Sequence, residues 1–391
     1  MDFGKIALTR EQLDLWDSAS EFYDTYATEA VYDEERRSGS GYSDTLHKAL
    51  GERGWITPTW RPEEGGAGLD AVSVRILELE MERRGVPDIT FGTTHLVLTL
   101  VEASGSDALT RKVLPGVASG DIRMCLGYTE PDGGSDLAAV RTRAQRTEDG
   151  GWVVNGAKMF TTGAHNCQYT ILVTRTDPDV PKHRGITLFL VPLDISGVEI
   201  RPIHTVGGER TNAVFYDDVR IDDDHRLGPV NGGWGTLSIA LKQEHGQYEA
   251  TGLNEISGGM VYAKPLRSLL WHATRWARTP GVDGTVPFDD PRVRALLSEI
   301  VIDLEIIRAA PGSMGRILGS DRLVQRSAEL LDMIGAEAIL SHDGAGALEG
   351  GIFEWAHRYA QGTAIYGGTT DIARNIVAQH TLGLPRPPKL D

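Results

Sequence analysis

The segment Tyr128-Thr-Glu-Pro-Asp-Gly-Gly-Ser-Asp136 closes a run of strand-forming residues in a glycine-rich turn. Gly133 and Gly134 let backbone amides approach a ligand closely, and Thr129 and Ser135 add hydroxyls suited to phosphate or heterocycle oxygens. The same residues read equally well as a polar strand-to-loop turn. In Val154-Asn-Gly-Ala-Lys-Met-Phe-Thr-Thr-Gly163 the Asn-Gly pair predicts a hairpin turn. Phe160 and Thr162, two residues apart, are then expected on one side of a strand, an aromatic face beside a hydroxyl that suits a flat conjugated ring. Phe160 taken alone also suits ordinary core. In Ala364-Ile-Tyr-Gly-Gly-Thr-Thr-Asp-Ile-Ala-Arg-Asn375, Gly367 and Gly368 precede a helix capped by Thr369. Such a helix N-terminus either attracts a pyrophosphate or is simply a capped helix start.

A fourth feature is a carboxylate in an apolar stripe. Trp234, Leu237, Leu241, Glu244 and Tyr248 recur at alternating three- and four-residue steps, one face of a helix. A desolvated Glu244 would have a raised pKa and the basicity of a useful general base near neutral pH. A structural carboxylate paired with His245 or an arginine fits the stripe as well. Glu249 and Glu255 lie off it.

The elements around these segments change type twice. Thr9 and Gln12 form a capping-box start, followed by Leu13, Trp16, Ala19, Phe22, Tyr23 and Tyr26 at helical spacing. Further helices are expected at 44–53, 71–84 and 92–104. From residue 123 short β-branched runs take over, at 123–129, 168–175, 185–191, 198–203 and 213–216, bounded by Gly, Pro and Asp. No helix-length segment separates these strands, which favours an antiparallel, barrel-like unit over a doubly wound parallel sheet. Helical patterns return at 233–262, 265–278, 290–308, 321–340, 351–364 and 369–382. The expected class is α+β, with an N-terminal helical domain (1–122), a middle β domain (123–227) and a C-terminal helical bundle (228–391).

Composition excludes several functions. The 391 residues carry 55 Asp and Glu against 39 Lys and Arg, a formal charge of −16, which disfavours nucleic acid or an anionic membrane as a partner. Two cysteines, Cys125 and Cys167, and 11 histidines without a His-Glu-x-x-His pair give the expectation of no metal and no disulfide framework. Apolar stretches fall short of the roughly 20 residues that span a bilayer, and Met1–Ile6 has neither a basic nor an apolar leader region. A cytoplasmic location is expected.

Taken together and in order, Thr129-Glu-Pro-x-x-Gly-Ser-Asp136, Asn155-Gly-x-Lys-x-Phe160 and Gly367-Gly-Thr-x-x-Ile372 resemble the acyl-CoA dehydrogenase family. The likeness covers nearly the whole chain, with further matches at Gly185-Ile-Thr-Leu-Phe-Leu-Val-Pro192, Val206 to Arg220, Gly228-Pro-Val-Asn-Gly-Gly-Trp234 and Leu382-Gly-Leu-Pro-Arg386. Within the family it looks most like the actinobacterial branch acting on CoA esters of sterol side chains, through Lys182-His-Arg-Gly185, Ile203-His-Thr205 and Tyr366-Gly-Gly-Thr369. The resemblance implies a C-terminal four-helix bundle, FAD as cofactor, an acyl-CoA substrate and an electron-transferring flavoprotein as acceptor. It assigns Leu126, Tyr128, Thr129 and Ser135 to flavin or acyl-CoA contact, Phe160 and Thr162 to the isoalloxazine, and Gly368, Thr369 and Asp371 to the cofactor's diphosphate and ribose. The implied reaction removes an α-proton while the β-hydrogen leaves as hydride to flavin N5.

Departures from the family pattern bear on the base and on assembly. Most members carry the base in Tyr-Glu-Gly-Thr, but Gly367 occupies the Glu position; it offers only a backbone N–H to the thioester oxygen. A minority place the base in Leu-x-x-Glu-Arg, matched here by Leu241-Lys-Gln-Glu-His245, so the resemblance makes Glu244 the base. Asp371 and His245 are not the usual residues. The Arg-x-x-Phe-Gly stretch that reaches FAD across a subunit interface is absent, with Arg278 the nearest substitute, and Asp332-Met-Ile-Gly-Ala-Glu337 replaces a Gln- and Gly-rich contact. In the branch it resembles two unlike subunits pair, so a homo- or hetero-oligomer, a dimer or tetramer such as α2β2, is expected. The competing functions are a non-catalytic FAD- or CoA-binding subunit of such a heteromer and, more distantly, a flavin oxidase on the same fold.

Overall fold

Thr9 opens the first helix as the sequence predicts: its hydroxyl accepts from the Gln12 N–H while the Gln12 side chain accepts from the Thr9 N–H. The computed structural model describes residues 7–244, 258–310, 312–342 and 344–385. They form two compact units, one of residues 1–205 and 209–241, the other of 206–208 and 242–391. No helix among the described residues is long and apolar enough to cross a membrane.

The first unit begins with six helices, α1 (Arg10–Tyr26), α2 (Glu29–Ser38), α3 (Asp44–Glu52), α4 (Ala71–Arg84), α5 (Ile89–Ser104) and α6 (Asp107–Ala118). Eight strands follow: β1 (Met124–Gly127), β2 (Arg143–Arg146), β3 (Trp152–Lys158), β4 (Tyr169–Arg175), β5 (Ile186–Pro192), β6 (Val198–His204), β7 (Arg210–Ile221) and β8 (Arg226–Leu227). The sheet order is β6-β7-β3-β2-β4-β5-β8, with β1 on β4. Most pairings are antiparallel as expected, but β1 and β2 each run parallel to β4. A parallel pair needs a long crossover, and the forty-odd residues between β1 and β4 provide it. One core joins helices to sheet, from Phe22, Tyr23, Ile56 and Val97 to Ile171, Leu188 and Leu190, all buried.

Asn155-Gly156 is not the hairpin turn the dipeptide predicts. Both residues lie inside β3, opposite a bulge in β7. The Asn155 amide and Asp218 exchange two hydrogen bonds of 2.9 Å, holding Asp218 at φ 48°. Gly156 is required there, because a Cβ would lie 2.7 Å from the Thr142 Cα. The real β2–β3 turn is one short loop earlier, where the Thr147 N–H reaches the Gly151 carbonyl at 2.9 Å and Gly150 takes φ 89°.

α7 (Gly233–Glu244) follows the strands, with Leu237 and Ala240 in the first unit's core. The second unit holds α8 (Gly258–Arg278), α9 (Pro291–Ala309), α10 (Gly312–Ile334), α11 (Ile352–Thr363) and the short α12 (Thr370–Ile376). α8 to α11 make the expected four-helix bundle around Leu266, Leu269, Ile300, Leu323, Phe353 and Ala360. The sequence predicts a helix start at Pro265; instead α8 runs through it. The lost backbone hydrogen bond is offset by a fully buried stripe of Ala263, Leu266, Leu269, Ala273 and Ala277. α10 likewise begins nine residues before the expected 321.

Candidate functional site

In the first unit a buried ion pair brings two of the sequence segments together. The fully buried Lys158 ammonium, at the end of β3, lies 2.9 Å from Glu130 and donates to the Tyr128 carbonyl at 3.2 Å. Glu130 also accepts from the Arg141 and Thr142 N–H groups at 2.7 and 2.8 Å. Burial alone would raise the Glu130 carboxyl, but the Lys158 charge and the Thr142 hydrogen bonds outweigh it and hold the group below its ordinary value. Burial pulls Lys158 down to about 8 against the opposing pull of Glu130. Next to this staple the Met159 N–H reaches the Thr129 carbonyl at 2.8 Å, fastening the Thr-Glu-Pro turn to the residue before Phe160.

Phe160 is not in the core, and neither it nor Thr162 is on a strand. β3 ends at Lys158, Phe160 takes φ 57° and its ring is 58% exposed. A bulky side chain in the left-handed region costs about 1–2 kcal/mol and persists only where its surroundings impose it. Here they do so from both sides: Lys158 is stapled, and Thr161 exchanges two hydrogen bonds, of 2.9 and 3.0 Å, with the fully buried Asn212 of β7. Thr162 then sits beside Thr211, hydroxyl to hydroxyl at 3.1 Å. Leu126 lies on β1 paired with Ile171, and it and Tyr128 are partly buried against the core. Ser135 is exposed, and a Cβ on Gly133 would meet nothing within 4 Å, so this turn faces open space.

In the second unit Gly367 and Gly368 take φ 63° and 79°, as a turn that reverses the chain after α11 requires. The Thr369 hydroxyl accepts from the Ile372 N–H at 3.1 Å, a conventional cap of α12. Asp371 is exposed and paired with Arg374 at 3.2 Å. α12 has seven residues and passes into a π-helical turn over 377–381, where the sequence predicts one helix to 382. Glu244 is the last residue of α7 and falls seven residues, two helical turns, after the buried Leu237. Its side chain, and His245, Glu249 and Glu255, lie outside the described residues.

Three family models match the chain: the acyl-CoA dehydrogenase N-terminal domain over residues 9–121, the middle domain over 125–220 and the C-terminal domain over 252–382. Acyl-CoA dehydrogenase FadE26 of Mycobacterium tuberculosis is 30% identical, with 98% of this chain and 99% of the relative covered. The chain belongs to the acyl-CoA dehydrogenase family. Among solved structures, the ChsE4-ChsE5 complex of M. tuberculosis is 29% identical, with a TM-score of 0.82 and coverage of 98% and 100%. The Tcur3481-Tcur3483 steroid ACAD is 28% identical, with a TM-score of 0.83 and coverage of 98% and 100%.

As an acyl-CoA dehydrogenase the protein is a flavin-dependent oxidoreductase acting on acyl-CoA, and FAD is its cofactor. The first unit fits such a group. A large aromatic held exposed in a strained backbone conformation between two buried anchors offers a flat face that the fold's own packing does not use. The anchors themselves, Glu130, Lys158 and Asn212, are absent from the sequence-predicted site. The sequence carries a signal for two of them, since Glu130 and Lys158 are charged members of the two motifs; Asn212 carries none.

Glu209, which precedes β7, adds a pH response near this loop. Burial, and then the charge of Glu35, push its pKa up from 4.5 to about 7; the next residue, Arg210, donates its N–H to Gly39 at 2.7 Å. A carboxyl raised on folding contributes its stability in full below about 4.5 and loses it as pH rises through about 7. Glu209→Gln is therefore expected to match the wild type near pH 4.5 and to exceed it at pH 8. Partial contact with water reduces that gain to on the order of 1–2 kcal/mol. Melting temperature against pH checks this; parallel curves for the two proteins refute it.

Proposed function

We propose that this acyl-CoA dehydrogenase oxidises the Cα–Cβ bond of a bulky or branched, sterol side-chain-like acyl-CoA to the trans-enoyl thioester. Glu244 takes the α-proton, and the Gly367 backbone N–H holds the thioester oxygen, so that negative charge developing there meets a fixed donor. Phe160 and Thr162 support the cofactor's ring. Leu126, Tyr128, Thr129 and Ser135 contact flavin or acyl-CoA, and Gly368, Thr369 and Asp371 face the diphosphate and ribose. When bound, FAD accepts the β-hydride. The three-domain division at 122/123 and 227/228, an electron-transferring flavoprotein as acceptor, a hetero-oligomeric assembly and a cytoplasmic location belong to the same proposal.

The observation that carries it is Gly367. With no side chain, and with φ 63°, it supplies backbone but no carboxylate, which supports Glu244 as the base and a wide acyl group as the substrate. The resemblance of the whole chain to the Tcur3481-Tcur3483 steroid ACAD points the same way. The test is an anaerobic titration of the FAD-loaded protein, alone and with a partner subunit, using sterol side-chain, branched and straight short-chain acyl-CoAs. Bleaching of the flavin band by the bulky esters is expected. Faster reduction by straight short chains overturns the substrate class, and no bleaching under any condition leaves a non-catalytic subunit.

A further inference from the structure

Arg316, on α10, is 5% exposed, and one of its nitrogens gathers three main-chain carbonyls of the following turn. Nη2 donates to Thr363 at 2.6 Å, Tyr366 at 2.8 Å and Gly368 at 2.9 Å. Three carbonyls at one cation is a charge-assisted anchor for a turn that two left-handed glycines would otherwise leave loose. The same helix holds the turn's flanks. Ser320 meets the Thr363 hydroxyl at 2.8 Å, and Asp321 accepts from Arg374 of α12 at 2.6 Å.

The consequence follows from peptide planarity. In a trans peptide the C=O of one residue and the N–H of the next point in opposite directions. Drawing the Tyr366 carbonyl onto Arg316 therefore turns the Gly367 N–H away from Arg316, and drawing in the Gly368 carbonyl does the same for the Thr369 N–H. Among the described residues neither N–H has a backbone acceptor. The chain thus spends a buried arginine on fixing the direction of two donors.

We propose that Arg316 is a positioning residue, which presets the Gly367 N–H to receive the carbonyl oxygen of the acyl-CoA thioester. This rests on the reading of Gly367 given above. Gly367 lacks a side chain that could lock its conformation by packing, so the direction of its N–H must be imposed through the carbonyls on either side.

The test compares two ligands of the FAD-loaded protein, its flavin reduced beforehand with dithionite so that the thioester is not oxidised during the measurement: isocaproyl-CoA and its thioether counterpart, isohexyl-CoA, which keeps the CoA and the branched chain but has no carbonyl oxygen. In the wild type the thioester should bind more tightly, and the infrared C=O stretch of bound, carbonyl-labelled isocaproyl-CoA should lie below its value in water. Arg316→Met should weaken the thioester roughly tenfold, return the stretch toward its free value and leave thioether affinity unchanged. Arg316→Lys, which retains a cation for the carbonyls, should restore part of the discrimination, and it carries the same comparison if Arg316→Met does not fold. Equal weakening of both ligands would mean that Arg316 only holds the bundle together, and an unaltered stretch in the variants would also overturn the proposal. A wild type that binds both ligands equally, or neither, instead overturns the reading of Gly367 itself.

Discussion

Replacing Glu244 by Gln is expected to lower the rate of flavin reduction by roughly 10²–10⁴-fold, with bound FAD and acyl-CoA affinity staying at wild-type levels. Gln preserves size and hydrogen bonding but cannot accept the α-proton, and a positioned base contributes about that factor to a proton abstraction. Because the proton moves only in the transition state, the loss belongs in the chemical step and not in binding. Stopped-flow reduction at saturating acyl-CoA measures it. A second consequence separates a base from a structural carboxylate. Exchange of the substrate's α-hydrogen with deuterated solvent, which needs the base but no net oxidation, should fall in parallel with reduction. A variant that reduces its flavin at a near-normal rate removes Glu244 from the mechanism, and one that loses FAD or folds poorly assigns it to the bundle.

What could be read from the sequence follows how much each element declares by pattern. α1 announces itself through a capping box and an apolar stripe, and its start is as predicted. β4 and β5 are buried almost throughout and β-branched, so they too fall where expected. β2 carries no strand pattern, because in Arg143-Ala-Gln-Arg146 only Ala144 is buried and the strand exists by pairing with β3. α2 buries no residue at all and so has no stripe to read. The same physics limits the site. Asn155-Gly156 carries the commonest hairpin signal, yet pairing of β3 with β7 overrides it and uses the glycine for a close approach to Thr142. That shift by a few residues is why Phe160 and Thr162 leave the strand. Arg316 was illegible for a different reason: its partners are carbonyls, which every residue has, so no side-chain pattern points to them.

The second large effect is expected at Lys158 and Glu130. Removing one member of a buried ion pair strands the other without its counter-charge, at a cost of about 3–5 kcal/mol. Lys158→Met should approach this cost, since it leaves the buried Glu130 carboxylate with the Arg141 and Thr142 N–H groups and the charge of Arg175, with which it forms no direct ion pair. Glu130→Gln should cost less, because an ammonium with a pKa already pulled to about 8 can lose its proton nearer to neutral pH. The double variant Lys158→Met/Glu130→Gln removes both charges together and should recover most of the loss, as replacement of whole buried pairs does elsewhere. Denaturant unfolding of the four proteins gives the coupling, which strict additivity of the two single losses would refute. The cycle also bears on the cofactor. The pair fixes one side of the Phe160 loop, so Lys158→Met should retain less FAD at temperatures where it is still folded. The double variant should regain stability ahead of FAD content, because its neutral side chains fill the space without drawing the Tyr128 carbonyl and β3 together. If FAD content instead tracks stability step for step, the pair serves the fold alone, and Phe160 is held by Asn212.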